Sequence, residues 1–295
     1  MQFHEMCWFK DIVAVVTIYN PPLESLEYIG SYAPYLDTLF VVDNSPEGSP
    51  KFIGQLKKQC GNVEVLSSGR NLGIAGALNL GIDAAQRKGA VWLLTMDQDS
   101  WFSPELLKRF FFLSREQDLS RTAILSPLHK MPKGGMPHGN ICRKRTEVMT
   151  SGNLLNLVLA KKIGPFNEAL FIDSVDHEYC MRANLLGFDV LQTENCLLNH
   201  TVGNMYSGRC VFGLKRKTFS IHSPKRMYFI VRNTLYIRDK YGKDFPEYTE
   251  AQWRHVKNKV ARCLKYSNDR RSYLKYILKG WLDYRMDHYG NTVNI

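Results

Sequence analysis

"WLLTMDQDSWFSP", residues 92–104, decides the architecture. The apolar run Trp92 to Met96 has the length and composition of a buried strand. It stops abruptly at Asp97-Gln98-Asp99, ahead of a Ser103-Pro104 turn. Side chains alternate along a strand, so two carboxylates two residues apart can face one point in space. Like charges held that close repel unless a cation stands beside them. An isolated D-x-D is also what a solvated acidic loop looks like, so the flanking chain has to separate the two readings.

Upstream, short apolar runs alternate with helical patterns, as in an open α/β sheet. "DIVAVVTIYN" (11–20), "DTLFVVDNS" (37–45) and "NVEVLSS" (62–68) are expected strands, with helices over "LESLEYIGSYAPY" and "FIGQLKKQC". "GRNLGIAGALNLGIDAAQRKG" opens as a loop and continues as an Ala-rich helix ending near Gly89. After the D-x-D, a helix starts with Ser103 as N-cap and Pro104 at its first position. Ligands of such sheets bind beyond the carboxyl ends of the strands. Asp43, Arg70, Asp97 and Asp99 all fall at those ends, which raises the D-x-D above coincidence.

Downstream the pattern is less regular. "HKMPKGGMPHGNICRKR" (129–145) is expected to be a mobile loop. A strand end is expected at Ser151-Gly152, then an apolar helix closing near Gly164-Pro165. A further helix runs from about Asp176 to Leu186, with Met181 and Leu185, and Cys180 and Ala183 nearby, supplying its apolar face. From Lys225 onward the chain reads as helices. Trp253, Val256, Val260 and Leu264 recur at helical spacing, as do Leu274, Ile277 and Trp281. The domain reading is therefore a sheet-containing region over 1–224 and a basic helical region over 225–295.

Charge is distributed unevenly. Residues 204–295 hold 20 Lys+Arg against 7 Asp+Glu, whereas the other 203 residues hold 19 against 21. A basic third on an otherwise near-neutral chain points to an anionic partner surface, a membrane or a nucleic acid. No helix-turn-helix, zinc-finger or RNA-recognition signature accompanies it, which disfavours nucleic acid. No apolar run approaches the ~20 residues of a membrane-spanning helix. The first residues carry an acid before a short apolar run and no small-residue cleavage site, so no secretory signal is expected. The 7 cysteines are odd in number and lack a C-x-x-C pair, which fits a reducing cytoplasm without a zinc site or disulfide framework.

"GRNLGIAG" matches neither the dinucleotide fingerprint nor the P-loop, so dehydrogenase and ATPase readings fall away. It still sets Arg70, Asn71 and Gly73 before a helix N-terminus, where backbone N–H groups favour an anion. A second acidic cluster comprises Asp173, Asp176 and Glu178. Asp176 at a helix start also suits a plain capping role. His200 suits either a hydrogen-bonded buried histidine or a metal ligand.

In order, these pieces resemble the inverting family 2 glycosyltransferases of GT-A fold, and within them the bacterial rhamnosyltransferases of O-antigen and related surface polysaccharides. The segments that carry the resemblance are "VVTIYNP", "LFVVDNS", "GRNLGIAGALNLGI", "LLTMDQDS", "MTSGNLL", "IGPFNEALFIDSVDHEYCMRANLLGFDV", "NHTVG" and "YFIVRNTLYIRDKY", spanning about 10–241. It implies a Rossmann-like nucleotide-sugar-binding sheet flanked by helices, with a basic helical C-terminal appendage. It also implies Mg²⁺ or Mn²⁺ held by Asp97, Asp99 and His200. Asp43, Asn44, Arg70, Asn71, Gly73, Asp97 and Gln98 would contact the nucleotide, and Asp176 would be the catalytic base. Val175 stands where the family usually has Glu, which leaves Asp173 and Glu178 as rival bases. The implied reaction moves L-rhamnose from dTDP-β-L-rhamnose to a lipid-linked glycan at the anionic inner face of the cell membrane. UDP-galactofuranose and UDP-N-acetylhexosamine are the alternative donors.

Overall fold

A computed structural model describes residues 11–129, 142–201, 205–209, 216–220 and 222–294. The chain divides into two compact units, one formed by residues to Glu168 with Asp176–Thr201, the other by Ala169–Val175 with Val202 onward. Residues 130–141 of the expected loop lie outside the described residues.

The first unit runs β1 (Ile12–Ile18), α1 (Ser25–Gly30), β2 (Leu39–Asp43), α2 (Pro50–Gln59), β3 (Val63–Leu66), α3 (Gly73–Arg87) and β4 (Trp92–Asp97). It continues with β5 (Ser100–Trp101), α4 (Pro104–Arg115), β6 (Thr122–His129), β7 (Cys142–Lys144), β8 (Asn153–Asn156), α5 (Leu157–Ile163), α6 (Val175–Leu185) and β9 (Asp189–His200). The sheet order is β3-β2-β1-β4-β8-β6-β9-β5, with β7 also on β9. β1 to β4 run parallel, and β8 is antiparallel to both of its neighbours. Every residue of β1 is buried, as expected of a central parallel strand covered on both faces. α3 lies so close to β1 that a Cβ on Gly81 would stand 2.6 Å from Val15 Cγ2. Ser103 does cap α4, its Oγ accepting from Leu106 N.

Three local expectations change. Ser151-Gly152 is a turn that precedes β8 instead of closing a strand, with Gly152 at φ +83°. Leu185 is 50% exposed, and the buried face of α6 is Cys180, Met181 and Ala183. β6 had no clear signal in the sequence. Pro127 interrupts it, and the pairing with β9 shifts register between Ser126 and Leu128. A proline inside a strand is tolerated at such an irregularity.

The second unit holds the antiparallel pair β10 (Met205–Arg209) and β11 (Arg216–Ser220), then α7 (Pro224–Tyr241), α8 (Pro246–Tyr266) and α9 (Arg270–Arg285). Its core joins Met227, Ile230 and Val231 of α7 to Val256 and Cys263 of α8 and Tyr273 of α9, with Trp253, Val260 and Leu264 packed against them. Leu274 and Trp281 behave differently, both being 47% exposed. α9 turns Tyr273, Gly280 and Asp283 inward instead. It approaches α7 so closely that a Cβ on Gly280 would stand 2.6 Å from the Tyr228 carbonyl oxygen.

The five described cysteines are free thiols, and all but Cys142 are buried. Burial pushes the Cys196 thiol up to about 11 and raises Cys60, Cys142, Cys180 and Cys263 as well.

Candidate functional site

Strand register builds the site. β1 pairs Ile18 with Asp43 on one side and Thr17 with Asp97 on the other, so the acidic ends of β2 and β4 are level at one sheet edge. β1 is also where the order reverses direction, since β2 and β3 lie to one side and β4 to the other. Such a switch point opens a crevice beyond the strand ends. Gln98 joins the two sides there. Its Oε1 accepts from Tyr19 N at 2.8 Å, and its Nε2 donates to Tyr19 O at 3.2 Å.

Asp99 reaches the site by a different route from the one expected. β4 ends at Asp97, and Gln98 and Asp99 form a turn, so strand alternation does not align the two carboxylates. The pairing of β5 with β9, Ser100 opposite His200, carries Asp99 to the histidine. Thr201 N and Oγ1 both donate to Asp99 O and fasten that crossing. His200 Nδ1 lies 2.9 Å from Ser100 Oγ and 3.2 Å from Asp99 Oδ1. Ser100 is the better-placed partner, which leaves the buried Asp99 Oδ1 without a formed hydrogen bond. The Asp99 carboxylate at that distance is nevertheless the main cause raising the His200 pKa, against the opposing effect of burial, and the charge of Asp97 adds to it.

These groups fit a divalent cation in their donor chemistry. An unsatisfied buried carboxylate oxygen beside an imidazole suits Mg²⁺ or Mn²⁺, the nitrogen tilting the preference towards Mn²⁺. Among the described residues, however, no set of three His, Cys, Asp or Glu side chains is assembled to hold an ion, so Asp97 does not complete one with Asp99 and His200. Water or substrate oxygens would have to supply the remaining ligands.

The nucleotide-contact candidates separate into fixed and free groups. Asp43 accepts from Ser45 N at 2.9 Å and Ser49 N at 2.6 Å, which fixes its carboxylate. Asn44, buried at 3% exposure, donates to Gly73 O and accepts from Leu72 N, tying β2 to the start of α3. Asn71 Oδ1 accepts from Gly73 N, and Gly73 has φ +68°, a conformation open to glycine. Asn44, Asn71 and Gln98 thus shape the crevice through backbone contacts. Arg70 is exposed on the loop before α3.

The three candidate bases differ in their partners. Arg226 holds Asp173 in a two-point pair at 2.6 and 3.0 Å. Arg182 holds Glu178, whose side chain is 1% exposed. Asp176 Oδ1 accepts from the adjacent His177 N, with the His177 ring 3.8 Å away. That bond is not one an N-cap makes to the second or third helical N–H. Asp176 is the carboxylate of the three without an arginine, and it lines a small pocket with Thr95, Thr150, Asn153 and Tyr179. Asn153 Oδ1 and the Tyr179 hydroxyl are buried there without hydrogen-bond partners among the described residues.

Sequence reasoning missed the wall behind Asp97. Ser151 Oγ accepts from Asp97 N, Thr95 Oγ1 donates to Thr150 O, and His129 Nε2 lies 2.8 Å from Ser151 O. Burial lowers the pKa of His129. Gly152 is the signal that pointed there, because a Cβ would meet Leu198 and Pro127 at 2.8 and 2.9 Å.

Residues 23–120 match the family described as Glycosyl transferase family 2. The match covers about a third of the chain, and it is a likeness of that segment to the family. It is 29% identical over 251 residues to the dTDP-rhamnosyl transferase RfbF of Shigella flexneri, covering 78% of this chain and 81% of that protein. Among solved structures it is similar to GalNAc-T7 with UDP, GalNAc and Mn²⁺, at a TM-score of 0.60, 14% identity and 95% of this chain. S. aureus TarS 1–349 with UDP-GlcNAc gives a TM-score of 0.51, 15% identity and 94% of this chain. The chain spans 55% of GalNAc-T7 and 72% of that TarS fragment, but 44% of the longer TarS chain. The likeness to these structures is one of fold, and the fold is of GT-A type.

Proposed function

We propose that the protein is an inverting, metal-dependent glycosyltransferase that moves L-rhamnose from dTDP-β-L-rhamnose to a lipid-linked glycan. What carries the reading is the convergence of Asp43, Asp97, Asp99 and His200 at one sheet edge, set by the registers of β1 and β9. The donor is chosen on the likeness to the Shigella rhamnosyl transferase.

In this reading Asp43 binds the base or ribose, and the exposed Arg70 meets the diphosphate near the N-terminus of α3. Asp99 and His200 would hold Mg²⁺ or Mn²⁺, with water or substrate oxygens completing the ligands and Asp97 adding its charge nearby. When bound, that ion neutralises the charge of the departing nucleoside diphosphate. Asp176 takes the proton of the acceptor hydroxyl, which attacks opposite the diphosphate and inverts the anomeric carbon. A positioned carboxylate contributes ~10²–10⁴-fold in such a step. Residues 1–224 would be the catalytic region. The basic residues 225–295 would hold the protein on the cytoplasmic face of the membrane, where a lipid-linked acceptor resides. Among the described residues no helix is long and apolar enough to cross a membrane.

The test is a panel of nucleotide sugars, with release of nucleoside diphosphate followed in the presence of Mg²⁺ or Mn²⁺. Turnover of dTDP-rhamnose is expected. Turnover of UDP-galactofuranose or a UDP-N-acetylhexosamine instead would replace the donor and keep the chemistry. Tight binding to random DNA without turnover of any sugar would remove the enzymatic reading.

A further inference from the structure

The outer face of α9 is unlike the rest of the described surface. Leu274, Leu278, Trp281, Leu282 and Met286 are between 42% and 58% exposed. Their spacing of four, seven, eight and twelve residues places them along one side of the helix. Tyr273, Gly280 and Asp283 occupy the opposite, buried side. Arg271, Lys275 and Arg285 are exposed among the apolar residues. The acid of α9, Asp283, is turned inward, where it accepts from Lys279 Nζ and the Tyr228 hydroxyl. Between its ends the outward face therefore combines large apolar side chains with cations, and the exposed acids Asp269 and Asp287 lie beyond the two ends of the helix.

We propose that this face of α9 lies in the plane of an anionic lipid surface. Leu274, Leu278, Trp281 and Leu282 would enter the acyl boundary, and Arg271, Lys275 and Arg285 would pair with lipid phosphates. This assignment rests on the membrane-bound acceptor proposed above and names the element that makes the contact. Long cationic side chains can bury their stems while their heads reach the phosphates. Tryptophan suits the same boundary, being apolar with one polar edge. Charge also argues against a second copy of this chain as occupant. A two-fold contact would gather Arg271, Lys275 and Arg285 of both copies into one interface, against the acids Asp269 and Asp287 beyond the helix ends.

The test uses the full chain and sedimentation with phosphatidylcholine vesicles, with and without phosphatidylglycerol, at low and high salt. Wild type is expected to bind the anionic vesicles and to weaken with salt. Leu278→Asp with Trp281→Asp should lower binding more than ~10-fold at both salts, because it removes buried apolar area. Arg271→Gln with Lys275→Gln and Arg285→Gln should remove the phosphatidylglycerol dependence; this variant alters only exposed groups and serves should the first misfold. Leu23→Asp, at a still more exposed apolar position of the first unit, should bind as wild type. Unchanged binding of both α9 variants would overturn the proposal. So would a wild-type dimer that the Leu278/Trp281 variant converts to monomer. Vesicle binding needs no nucleotide sugar, so a protein that binds vesicles but turns over no donor overturns the transfer reading alone.

Discussion

Asp176 is separated from its neighbours by what they touch. Arg226 neutralises Asp173 and Arg182 neutralises Glu178, whereas Asp176 faces a pocket. Asp176→Asn is nearly isosteric and cannot accept a proton, so it should keep donor affinity and lose ~10²–10⁴-fold in turnover. Comparison of donor binding with single-turnover transfer checks this, and a variant retaining most of its rate would move the base elsewhere. The identity of the acidic residues was legible because carboxylates at strand ends are a local pattern. Their partners were not. Arg226 lies 53 positions from Asp173 and no spacing rule joins them. Gln98 shows the same limit: no sequence pattern announces that its amide holds the Tyr19 backbone.

At the scale of elements, periodicity found β1 to β4 and α1 to α4 because each presents an unbroken apolar run or stripe. It missed β6, where Pro127 masks the strand. It found the helix of α9 but could not say which of its apolar residues pack, since Ile277 meets the core while Leu274 and Trp281 face outward at the same spacing. Close approaches give the next predictions. Gly81→Ala would drive a Cβ to 2.6 Å from Val15 and should destabilise the fold by ~1–3 kcal/mol, read by denaturant unfolding. In the second unit, α7 clamps the segment that leads into α6. Arg232, fully buried, donates to the carbonyls of Ala169, Leu170 and Gly290. Asn233 donates to those of Leu170, Ile172 and Asp173. Phe171, Asp173 and Ser174 in this segment all have positive φ, a cost that persists only where surrounding contacts impose it. Arg232→Met should leave these carbonyls short of donors and cost ~2–4 kcal/mol. A melting curve of wild-type shape and midpoint would contradict that.

For the whole molecule, the proposed metal and donor should act as stabilising ligands. A ligand at 100 times its dissociation constant adds ~2.7 kcal/mol to stability. Nucleoside diphosphate with Mn²⁺ is expected to raise the melting temperature. Asp99→Ala should remove that metal-dependent increment and turnover while the ligand-free melt falls little, because the Asp99 side chain is partly exposed and a pairing with His200 in such a setting contributes little to stability. Excess chelator should abolish transfer by the wild type. The buried thiols have a consequence of another kind. A thiol whose pKa lies near 11, as at Cys196, holds little thiolate at neutral pH, and four of the five described cysteines are shielded as well. Reagents that attack thiolates should therefore modify Cys60, Cys180, Cys196 and Cys263 only when their surroundings open. Mass-resolved labelling of each site against time would then measure how often each part of the native chain breathes, with no engineered probe.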